Sequence, residues 1–126
     1  MKYLFLALAL TGCAMLPQPY DNVLYDKYVV ATIGLFNALN SCDESREIVI
    51  ADVQGSVNTL NAALLYNKFH GDEKQLMDAT ETIRDYLNTF IKNYTSVDQK
   101  AYCRLKIMTQ EQALIEIVKA VGGKPQ

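Results

Sequence analysis

The chain has 126 residues, half of them hydrophobic, and a formal net charge of -2. Such a length suits one domain around a single core. The mild acidic balance excludes the basic patch or stripe of a nucleic-acid binder. With one histidine, His70, and three cysteines, the residues offer no zinc ligand set, and neither metal nor cofactor is expected.

The N-terminus opens with Lys2 and the apolar run YLFLALAL, Tyr3 to Leu10. That run is far shorter than the ~20 apolar residues a spanning helix needs. A basic residue followed by a short apolar core is the composition of an export signal. Leu10-Thr11-Gly12-Cys13 comes next, and it resembles the lipobox of bacterial lipoproteins, in which a leucine and two small residues precede the lipidated cysteine. The resemblance implies a signal peptide over residues 1–12, cleavage before Cys13, a thioether-linked diacylglycerol on Cys13, and acylation of the new amino terminus. Several acyl chains together make membrane anchoring stable. Ala14, standing where an aspartate would retain the protein at the inner membrane, implies passage to the outer membrane, facing the periplasm. Residues 13–20, with Pro17 and Pro19, read as an extended tether. Without residues 1–12 the chain loses Lys2, leaving 11 basic and 14 acidic side chains and a net charge of -3.

From Asp21 onward apolar residues recur every three or four positions, the helical signature. The first stripe is Leu24, Tyr28, Ala31, Leu35, Ala38 and Cys42, and the second is Ile50, Val53, Val57, Leu60 and Leu64. Leu76, Thr80, Ile83, Leu87, Phe90 and Tyr94 form the third. Leu105, Ile107, Met108, Leu114, Ile115, Val118 and Val121 form a broader fourth. Ser41 with Glu44 fits a capping box before helix two. Gly71 and Asp72 fit the stop and start between helices two and three, and Thr95 or Ser96 fits the cap of helix four. The fold expected is all-α, a four-helix up-down-up-down bundle over residues 21–121, with residues 122–126 as a disordered tail.

With Cys13 assigned to lipid, Cys42 and Cys103 remain. An exported chain with two cysteines left suggests one disulfide, whereas two free buried thiols would suit a reducing cytosol. In an up-down-up-down bundle the first and third loops share an end, so Cys42 at the first loop and Cys103 about two turns past the third can meet.

Chemistry is sparse along the chain. His70, near Asp72 and Glu73, reads as a solvent-exposed helix-end histidine, because no second nitrogen or thiolate ligand accompanies it. The serines lack a nucleophile motif. The run DVQGSVN, Asp52 to Asn58, has no phosphate-loop spacing. The glycosylation acceptor at Asn93 is an accidental match on a bacterial export route. A non-enzymatic protein is therefore expected.

Two surfaces stand out. On a helical wheel the apolar residues of ALIEIVKAV, Ala113 to Val121, cover an arc of roughly 220°. They read as either a deeply buried helix or a face that receives a partner, with Leu114, Ile117, Val118 and Val121 as the candidate contacts. Tyr20, Tyr25, Tyr28, Tyr66 and Phe69 gather at the tether end, as core filling or as rings at the membrane interface. Gly34 and Gly55, inside helices, allow close helix contact or floor a groove.

The function expected is a lipid-anchored adaptor or chaperone that holds an envelope protein partner, with the membrane reached through Cys13. In size, lipidation, helix count and one disulfide, the chain is similar to the small helical pilotin lipoproteins of type II secretion, although no residue motif is shared. A phage- or plasmid-encoded exclusion lipoprotein and a carrier of a small apolar ligand are the other readings.

Overall fold

A computed structural model describes residues 21–70 and 73–122. The signal segment 1–12, the lipid-bearing Cys13, the tether, Gly71 and Asp72, and residues 123–126 lie outside them. The described residues form four helices and no strand: α1 Asn22–Asn40, α2 Arg46–His70, α3 Lys74–Asn93 and α4 Lys100–Gly122.

Contacts at the two ends set the helix directions. Asp21, with extended backbone, caps α1 by accepting from the Val23 and Leu24 amides at 3.0 and 3.1 Å. A helix start leaves such donors without intrahelical partners. The same carboxylate accepts the hydroxyl of Tyr66, near the end of α2, at 2.9 Å. The end of α4 is there too, because a Cβ on Gly122 would run into the Tyr25 ring. At the other end Cys42, just after α1, is bonded to Cys103 in the first turn of α4, with Cα atoms 5.8 Å apart. Beside that bond Arg104 pairs with Asp43. The Arg46 Nε at the start of α2 donates to the carbonyl of Tyr94, just past α3, at 2.8 Å. The helices therefore alternate up, down, up, down. Each packs on its sequence neighbours, and α1 closes the ring against α4.

Every residue of the first expected stripe, Leu24 to Cys42, is buried. So are Thr80, Ile83, Leu87, Phe90 and Tyr94 of the third, with Leu76 packed beside them. Tyr28 links the two stripes. Thr80 Oγ1 donates to the Leu76 carbonyl at 2.7 Å, which leaves it to accept the Tyr28 hydroxyl at 2.5 Å. Burial pushes the Tyr28 phenol above its ordinary pKa, and the bond to Thr80 offsets part of that rise.

Three local expectations are corrected. Ser45, not Ser41, caps α2: its Oγ accepts the Ile48 amide at 3.2 Å, while the Ser41 carbonyl closes the preceding turn. The helix α4 starts at Lys100 rather than next to Thr95 or Ser96. The Gln99 side chain reaches back to accept both of their amides, at 2.8 and 3.1 Å, and so holds that segment as a loop. Cys103 consequently falls in the first helical turn, directly opposite Cys42. In the fourth stripe Leu105 and Met108 point outward, and the buried seam is Cys103, Ile107, Leu114 and Ile117.

The two helical glycines have different roles. A Cβ on Gly34 would collide with Ser56 Oγ, which donates to the Ala31 carbonyl at 2.7 Å, so this glycine makes room for Ser56 between α1 and α2. A Cβ on Gly55 would meet nothing within 4 Å. In urea titrations Gly34→Ala is expected to lower the unfolding free energy by about 1–3 kcal/mol through overpacking. Gly55→Ala is expected to raise it by about 1 kcal/mol, the helix-propensity difference. The Cys42→Ser, Cys103→Ser double variant is expected to lose about 4 kcal/mol in the same titration, the chain-entropy value for so long a closed loop.

Candidate functional site

Charge is distributed unevenly around the bundle. In α1 only Asp26 and Lys27 are charged, and in α2 Asp52 stands alone between Ile48 and Asn67. By contrast, α3 and α4 carry six lysine, arginine, aspartate or glutamate residues each. By length and composition α2 is apolar enough to cross a membrane, yet here it packs between α1 and α3. Only a third of its apolar window is buried. The remainder is half-buried or exposed, with little charge to solvate it.

Among the outward residues of α1 and α2 are several large apolar ones. Val30 is 54% exposed and Ile33 and Phe36 are 51% exposed on α1, while Leu65 and Phe69 are 56% and 71% exposed on α2. Between the two helices runs an open groove of about 500 Å³. Val23, Asp26, Lys27 and Val30 line one wall, and Asn58, Thr59 and Ala62 line the other. Asp26 and Lys27 form no ion pair with each other or with any other described residue. Apolar exposure of this extent marks interaction surfaces in soluble proteins.

The residues expected to carry function are placed as follows. Cys42 and Cys103 are joined, and Cys13 lies outside the described residues. Leu114 is fully buried and Ile117 nearly so, while Val118 and Val121 are partly buried against the core. The apolar surplus of helix four is thus taken up by packing on the neighbouring helices, and its four candidate contacts form no open face. The open face lies on α1 and α2 instead. The signal for it was the set of α1 apolar residues left off the first stripe: Val23, Val30, Ile33 and Phe36.

The other candidates resolve singly. His70 is the last residue of α2, exposed, with its ring 4.5 Å from that of Tyr66. Among the described residues no group of three or more His, Cys, Asp or Glu side chains could hold a metal ion. Of the tether-end aromatics, Tyr28 is core, Tyr66 is bonded to Asp21, Phe69 faces solvent, and Tyr20 lies outside the described residues. The Asp21 hydrogen bond, then partial burial, then the Asp21 charge, holds the Tyr66 phenol above its usual pKa.

No family model matches the chain, and no curated protein or solved structure matches it either.

If α1 and not α4 carries the open face, one substitution in each separates the two helices. Val30→Asp is expected to change stability by no more than about 0.5 kcal/mol. Leu114→Ala is expected to cost about 2–5 kcal/mol through the cavity it leaves. Thermal unfolding of the two variants side by side checks both values.

Proposed function

We propose that this protein is a lipid-anchored, non-enzymatic binding adaptor of the bacterial envelope, holding a protein partner against the outer face of α1 and α2. The observation that carries the reading is that face itself, where Val30 and Ile33 of α1 and Leu65 and Phe69 of α2 are exposed and charges are few over most of the two helices. An amphipathic helix laid along such a groove buries its apolar stripe and leaves its polar side in water.

The lipobox supplies the other half of the reading. A tether of eight residues, 13–20, spans at most about 28 Å when fully extended, so lipid on Cys13 would keep the bundle close to the membrane. The tether enters the bundle at Asp21, which the Val23 and Leu24 amides and the Tyr66 hydroxyl hold in place. Val23 opens the groove just two residues later. The chain thus enters the bundle at the end where the groove opens, an arrangement suited to keeping a client beside the membrane if Cys13 carries lipid.

Cys13→Ser is expected to end labelling by fatty acid and to move the protein from the membrane fraction to the soluble fraction. Continued sedimentation with membranes would count against the anchor. Deletion of the protein is expected to remove a client from the outer membrane, and Val30→Asp is expected to reproduce that loss at normal protein levels. Unchanged outer-membrane composition in both strains would sink the adaptor reading.

A further inference from the structure

We infer that the tether end of the bundle is itself seated in the phospholipid surface, with Phe69 and Leu65 in the boundary between headgroups and acyl chains. The inference rests on reading Cys13 as the lipid anchor. It concerns the part of α2 that lies past the groove, whose α2 wall ends at Ala62, so the groove remains for the client.

At that end α2 outruns α1. Ser56 Oγ meets the Ala31 carbonyl, and ten residues further along each helix the Tyr66 hydroxyl meets Asp21. Both contacts fix the same antiparallel register, in which Tyr66 is level with the start of α1. Residues 67–70 of α2 therefore project past that start, by about 6 Å at the helical rise. A segment lying in a membrane interface enters it by about 5–10 Å. The projecting turn carries Phe69, which at 71% has the greatest exposure of any large hydrophobic residue among those described. Leu65, four residues earlier and so on the same side, is 56% exposed.

What covers these two residues follows from the chain that leads to them. Residues 13–20 reach at most about 28 Å, and they end at Asp21, which is bonded to Tyr66 between Leu65 and Phe69. A lipid on Cys13 thus keeps this turn beside the bilayer at a high effective concentration, where even a weak contact is populated. The charges nearby suit such a seat. Lys68 forms no ion pair with another described residue, and its ammonium can reach a lipid phosphate while its stem lies along acyl carbon. Of the acids, Asp21 is held by two amides and Tyr66, Asp78 pairs with Lys74, Glu73 also has a partner, and Asp26 lines the groove. Leu105 is comparably exposed, at 62%, but it stands near the disulfide, at the end away from the tether.

The test places a fluorescent aromatic residue at position 69, 65, 33 or 105, one at a time, in the full-length protein. Each purified protein is reconstituted with vesicles of phosphatidylethanolamine and phosphatidylglycerol that contain a spin-labelled lipid as quencher. Quenching at 69 and 65 is expected to exceed that at 33 and 105 by about threefold or more. Phe69→Asp, read from position 65, is expected to abolish the excess without changing the thermal unfolding of a residue so exposed. Equal quenching at 69 and 105, or none at 69, overturns the seating, and the anchor still stands if mass spectrometry finds acyl chains on Cys13. Quenching at 33 as strong as at 69 lays the whole face of α1 and α2 on the membrane, which removes both the seating and the client. A bare Cys13 removes the anchor and the seating together.

Discussion

Ser56 reaches from α2 to donate its hydroxyl to the Ala31 carbonyl of α1, and it has room to do so only because position 34 is glycine. Around that bond the seam is built of small residues, with Ala31 and Ala38 on one side and Ser56 and Ala63 on the other, all buried. Small side chains let helix backbones approach, and α1 and α2 are the most closely apposed pair in the bundle. The side between α3 and α4 is built in the opposite manner. Phe90 lies between Tyr94 and Tyr102, with ring centroids 5.1 and 5.7 Å away, and these two helices meet least. Close apposition on one side is what joins the outer surfaces of α1 and α2 into a single face with a groove along it.

The outline of this arrangement was legible in the residues because most stripes are narrow. For α1 and α3 the three-and-four spacing picks out the buried positions without ambiguity. The helix α4 is different, since Leu105, Ile107 and Met108 are apolar on several sides at once and periodicity cannot choose among them. What chose was Cys103, whose bond to Cys42 rotates α4 so that Ile107, Leu114 and Ile117 face inward. The caps failed for a related reason. Ser41, Ser45, Thr95 and Ser96 are all competent capping residues, and Gln99, a side chain with no capping signature, settled where α4 begins. The candidate face escaped notice because a stripe analysis asks which apolar residues go in, whereas the face consists of those left out.

Asp21 gives the molecule its polarity along the helix axis. It ends the tether, begins α1, and through Tyr66 ties that start to the last turns of α2. Tension applied through a lipid on Cys13 would arrive at a carboxylate held from two helices, rather than at a single fraying helix end. The opposite end has its own closure in the disulfide and the Arg46 bond to Tyr94. The Tyr94 phenol is fully buried there with no hydrogen-bond partner among the described residues, and burial raises its pKa. That end is joined by covalent and main-chain contacts, while at the other end it is the Asp21 carboxylate that ties α1 to α2.

Cys42 and Cys103 have no exposed surface, so a dissolved oxidant or thiol reaches their sulfurs only when the end of α1 and the start of α4 part locally. Making or breaking the cross-link is thereby coupled to an opening of the fold. A copy that packed before meeting an oxidant would hold two shielded thiols, slow to oxidise, and a copy already cross-linked would be slow to lose its bond when the surrounding redox poise changes.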